Sequence, residues 1–65
     1  MKDTIIIDVE PVNTCFGVMV RFWEGDRLLR DSGRNQVVNS MYEITASYKN
    51  RQGKEVMFRT RRHEE

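Results

Sequence analysis

The sequence holds one cysteine and one histidine, Cys15 and His63, the residue types of a nucleophile and its base. Covalent catalysis requires the base to be held at hydrogen-bonding distance from the nucleophile. His63-Glu64-Glu65 reads as a solvated tail, where nothing fixes an imidazole beside a thiol. Cys15 precedes Phe16-Gly17-Val18 on an expected strand, which suits a half-buried structural thiol better than a reactive one. Asp8 and Glu10 share a strand face and could hold a divalent cation, but a solvated strand face accounts for the same spacing. One cysteine and one histidine cannot complete the ligand set of a structural zinc site. The four glycines are scattered at 17, 25, 33 and 53, so no glycine-rich phosphate loop is present. The residues point to a protein that is not an enzyme, with no cofactor and no metal.

Sixty-five residues are one domain, taken as 1–62 with 63–65 as the solvated tail. A chain this short buries only about 60% of its unfolded surface, so self-association or a partner is the expected source of extra stability. A single cysteine excludes an internal disulfide and fits a reducing, cytoplasmic setting. Ile5-Ile6-Ile7 is too short for a signal peptide core of about 7–15 residues or a membrane span of about 20. Neither export by that route nor membrane insertion is expected. The net charge is +1. It divides into an acidic start (Asp3, Asp8, Glu10 against Lys2) and a basic end (Lys49, Arg51, Lys54, Arg59, Arg61, Arg62 against Glu55). The overall pI of 7.9 falls short of the value above about 9 usual for basic nucleic-acid domains.

Seven Val, four Ile and four Thr against one Ala and two Leu favour sheet over helix. Ile5, Ile7 and Val9 alternate with Ile6, Asp8 and Glu10, which predicts a first strand over residues 4–10. Pro11 ends central pairing or marks an edge. Phe16, Val18, Val20 and Phe22 alternate with Gly17, Met19 and Arg21 in a second strand. Gly25-Asp26 suits a two-residue hairpin loop, setting Trp23 opposite Leu28, Phe22 opposite Leu29 and Arg21 opposite Arg30. Like charges face each other in that last pair, which calls for a short third strand or an anion. Asp31-Ser32-Gly33 has loop chemistry.

Two structures compete for residues 41–62. Ser40-Met41-Tyr42-Glu43 is a capping box, with Met41, Ile44 and Tyr48 on one helical face and Gly53 just past the end. Alternatively, Asn50-Arg51-Gln52-Gly53 is a hairpin turn between two strands. The hairpin register sets Tyr48 opposite Val56 and Ala46 opposite Phe58, and pairs Lys49 with Glu55 and Glu43 with Arg61. Agreement on both faces favours the hairpin. Residues 38–49 resemble the first helix of ribbon-helix-helix repressors, but no second helix is readable after them and the strand-rich remainder argues against that fold.

The expected fold is all-β, or β-rich α+β. It is a five-stranded antiparallel sheet or small open barrel with one short helix near residues 34–41. The expected function is non-catalytic binding to a protein partner or to a second copy of the chain. Met19, Arg21, Trp23, Leu28 and Arg30 are the candidate contacts, because Trp, Arg and Met are enriched at interfaces. The alternative is a small nucleic-acid-binding barrel in which Trp23 stacks on bases and Arg51, Lys54, Arg59, Arg61 and Arg62 meet phosphates. A domain of this size suits an accessory protein of a phage or mobile element.

Overall fold

The computed structural model describes residues 3–61. His63 and the expected tail lie outside the described residues. Three strands lead the chain: β1 (Thr4–Thr14), β2 (Gly17–Glu24) and β3 (Arg27–Gly33). A 3-10 turn over Arg34–Gln36 leads into helix α1 (Val37–Gln52), and strand β4 (Glu55–Thr60) follows. The sheet order is β3-β2-β1-β4, with β1 antiparallel to β2, β2 antiparallel to β3, and β4 parallel to β1. The fold is therefore β-rich, a four-stranded mixed open sheet with one helix, rather than five antiparallel strands or a barrel.

The parallel pairing of β4 with β1 decides the contest over residues 41–62. Parallel neighbours need a crossover of a dozen or more residues, which a tight turn at Asn50-Arg51-Gln52-Gly53 cannot supply. Helix α1 is that crossover, carrying the chain from the β3 edge of the sheet to the β4 edge. The C-terminal hairpin expected from the alternation is not formed. Val37, Met41, Ile44 and Tyr48 recur at helical spacing and pack on the sheet, which the strand pattern could not explain for Val37 and Met41. Gly53 adopts the left-handed backbone expected of it (φ 65°), but as the helix C-cap, its N–H bonded to the Lys49 carbonyl at 3.0 Å. The helix starts before the capping box, so Ser40 is an interior helical residue.

Ile7 and Phe22 are fully buried, Ile44 nearly so, and Ile5, Val9, Val20, Leu29, Val56 and Phe58 complete the layer between sheet and helix. The rings of Phe22 and Phe58 meet edge to face, 6.1 Å between centroids. The odd positions of β1 thus face the core, as their alternation predicts. Phe16 and Val18 do not join them. The β1–β2 hairpin runs beyond the helix, leaving Phe16 92% exposed at its tip and Cys15 exposed beside it. Cys15 is accordingly a surface turn residue rather than a half-buried strand thiol.

Pro11 pairs with Val20 on β2, and β4 ends opposite Val9. The Val9 carbonyl faces β4, accepting the Arg61 N–H at 2.9 Å, so alternation turns the backbone nitrogen of Pro11 to that same side. There β1 has become an edge, and no ladder bond is lost to the proline.

Strand β3 runs through Asp31-Ser32-Gly33, where turn chemistry predicts a loop. A bulge changes its register: Trp23 faces Leu28, but Phe22 faces Arg30 and Arg21 faces Asp31. The expected Phe22–Leu29 and Arg21–Arg30 pairs do not form. Arg21 instead meets Asp31 at 3.3 Å, and Arg30 turns to the helix side and pairs with Glu43. The like-charge conflict is removed by one extra residue. Ser32, now facing the helix, shares a buried hydrogen bond with the Ser40 hydroxyl.

Candidate functional site

Helix α1 covers one face of the sheet, and no described element covers the other. Side chains opposite one another in register stand on the same face. The open face therefore carries Ile6, Asp8, Glu10 and Val12 from β1, and Met19, Arg21 and Trp23 from β2. Leu28 and Asp31 join from β3, and Glu55, Met57 and Arg59 from β4. Of the expected contact residues, Met19, Arg21, Trp23 and Leu28 are brought together here. Arg30 is not, because the bulge moves it across the sheet.

At the centre lie two carboxylates on the middle strand. Asp8 and Glu10 each keep only 7% of their surface accessible, although no helix covers them. Neighbouring side chains provide the cover. Asp8 accepts hydrogen bonds from Arg59 Nε at 2.9 Å and Arg61 Nη2 at 3.4 Å. The Arg59 hydrogen bond holds the Asp8 carboxyl below the ordinary value of 3.8, aided by the positive fields of Arg59 and Arg61 and opposed by desolvation. Glu10 Oε1 accepts the indole Nε1–H of Trp23 at 2.8 Å. Arg61 lies over the Trp23 ring with its guanidinium carbon 5.1 Å from the centroid. The carboxylates that could have shared a cation are thus engaged by guanidinium and indole donors.

Asp8 and Glu10 are therefore buried rather than solvated, and Ile6 and Met57, not among the expected contacts, share their face. Ile6 and Met57 face one another in register, 37% and 57% exposed, and Leu28 is 43% exposed opposite Trp23. These three apolar side chains border the charged centre. For Ile6 the signal lies in the alternation of β1, where it is the one apolar residue on the acidic face of residues 4–10.

The basic residues expected to line a nucleic-acid surface do not converge. Arg59 and Arg61 stand on the open face, bonded to Asp8. Arg51 is in the last turn of α1, Lys54 lies in the connection to β4, and Arg62 falls outside the described residues. Counted among the described residues, Arg21, Arg59 and Arg61 stand with Asp8, Glu10, Asp31 and Glu55, so the open face carries no surplus of cations.

No group of three metal-ligating side chains occurs among the described residues. None of their helices is long and apolar enough to cross a membrane. No protein-family model, curated protein or solved structure matches this chain.

Proposed function

We propose that this protein is a non-catalytic binding module that contacts a protein partner through the open face of its sheet. The supporting observation is that this face carries no surplus of cations. Its guanidinium groups sit on its own carboxylates, which leaves Trp23, Ile6, Leu28 and Met57 as the groups available for contact. A nucleic-acid surface must neutralise phosphates with surplus cations, and here the surplus is absent. Trp, Met and Arg around a pre-paired centre match the make-up of protein interfaces, whose cores are depleted in free charge. The exposed Cys15 thiol suits a reducing, cytoplasmic compartment.

A photo-crosslinking side chain placed at Met57 or Leu28 in cells of the protein's source tests this reading. One defined protein adduct from these positions is expected, and none from Tyr42 on the outer side of the helix. An adduct with a second copy identifies the partner as the chain itself, to be confirmed by light scattering as a dimer that Met57→Glu dissociates. Crosslinks from Tyr42 alone would overturn the assignment of this face. So would oligonucleotide binding that weakens steeply between about 50 and 200 mM salt.

A further inference from the structure

On the opposite side of the molecule, a cleft of about 250 Å³ opens between the β3 edge and the C-terminal half of α1. Three arginines from three places in the chain line it: Arg27 beside the β2–β3 turn, Arg30 at the bulge, and Arg51 in the last helical turn. Ser47 and Gln52 add a hydroxyl and an amide to the same walls. Arg30 is engaged by Glu43, whereas Arg27 and Arg51 make no ion pair within 4 Å among the described residues. Glu24, near the rim, accepts a hydrogen bond from the Tyr48 hydroxyl. The cleft thus holds three cations against two carboxylates, one of which is tied to Arg30.

The geometry points to this cleft as a binding site for a phosphate monoester group. Its volume lies below the roughly 300–1,000 Å³ of a pocket that encloses a whole small molecule, so it suits one anionic group of a larger ligand. Planar guanidinium donors match phosphate oxygens in bidentate fashion. The bulge is what brings Arg30 here. Regular pairing would have put Arg30 opposite Arg21 on the open face, leaving the cleft with two arginines. Glu43 acts as an internal competitor, occupying the Arg30 guanidinium until a phosphate displaces it. The chief alternative is that Arg51 only complements the partial negative charge of the helix C-terminus.

Amide chemical-shift titrations of the full chain separate these cases, using inorganic phosphate in one arm and a short neutral phosphoserine peptide in the other. Shifts centred on Arg27, Ser47 and Gln52 are expected. Binding in both arms places recognition in the phosphate group, and binding in the peptide arm alone identifies a phosphorylated protein as the source. Arg27→Gln and Arg51→Gln should each weaken binding about tenfold, as loss of one charge-assisted hydrogen bond does. Arg34→Gln, outside the cleft, should leave it unchanged. Glu43→Gln should tighten binding, an effect that a purely structural role for Glu43 would not produce. Shifts spread equally over Arg21 and Arg59 would overturn the site, as would affinity indifferent to Arg27→Gln, Arg51→Gln and Glu43→Gln.

Discussion

Arg61 lies over the indole of Trp23, joining the residue that follows β4 to the end of β2 across β1. The same guanidinium donates to Asp8 and to the Gly25 carbonyl, while Glu10 accepts the Trp23 N–H. These contacts cross β2, β1 and the end of β4 on a face with no helical cover. They keep Trp23 fixed and half-buried rather than loose on the surface. A rigid aromatic anchor of this kind loses little side-chain entropy when a partner binds.

Trp23→Phe tests that anchoring. The ring remains under Arg61, but Glu10 loses the indole donor. We expect urea denaturation to show a loss of about 1 kcal/mol, typical of one hydrogen bond removed at a part-buried site. An unchanged midpoint would mean that the indole bond contributes nothing in solution.

Ser32 and Ser40 provide a second test, through a double-mutant cycle. Either serine changed alone to Ala leaves a buried hydroxyl without its partner and should cost about 1–3 kcal/mol. Changing both removes the unpaired group, so the double variant should be more stable than the sum of the single losses implies. Strict additivity would argue against the hydroxyl pair.

Gly53→Ala should destabilise by about 1 kcal/mol, because a Cβ penalises the left-handed backbone. Beyond the chain neighbours an added Cβ meets no atom within 4 Å, so the cost arises in the local backbone rather than in packing. Gly53→Asn should therefore recover part of the loss, read as melting temperature. Equal losses for the two variants would contradict this origin.

Acid and alkaline stability should depend on different residues, with opposite signs. The folded state holds the Asp8 carboxyl below 3.8, so its contribution is present above that value and is lost as pH falls through the lower folded value. Asp8→Asn should flatten the acid limb of the stability curve. Tyr48 is raised above 10.0, first by desolvation and then by its hydrogen bond to Glu24 and that carboxylate's negative charge, against a smaller opposing effect of Arg27. Its contribution is present below 10.0 and is lost as pH rises through the higher folded value. Tyr48→Phe should flatten the alkaline limb. Thermal melts across pH on both variants check these signs.

Several features were legible in the residues alone. The alternation of Ile5, Ile7 and Val9 identifies the buried face of β1, because strand periodicity is a local property. Gly25-Asp26 marks the β2–β3 turn, and the pairing of Trp23 with Leu28 follows from its two-residue length. The need for a left-handed residue at Gly53 was also readable, since a helix C-cap and a hairpin bulge demand the same backbone. That shared demand is why local chemistry could not choose between them.

Tertiary structure made that choice and the ones that follow from it. Ile44, Tyr48, Val56 and Phe58 satisfy both a hairpin and a helix followed by a strand. Only the need to cover Ile7 and Phe22 on a mixed sheet, using Val37 and Met41 as well, favours the helix. The bulge after Leu28 leaves no signature in composition, yet it moves Arg30 from the open face to the cleft and gives Arg21 the partner Asp31. The candidate face follows the same division. Its strand alternation is written in the chain, because a side chain's face depends on its immediate neighbours. The pairing of its cations comes from Asp8 meeting Arg59 and Arg61, residues distant in sequence that become neighbours only when β4 lies parallel to β1.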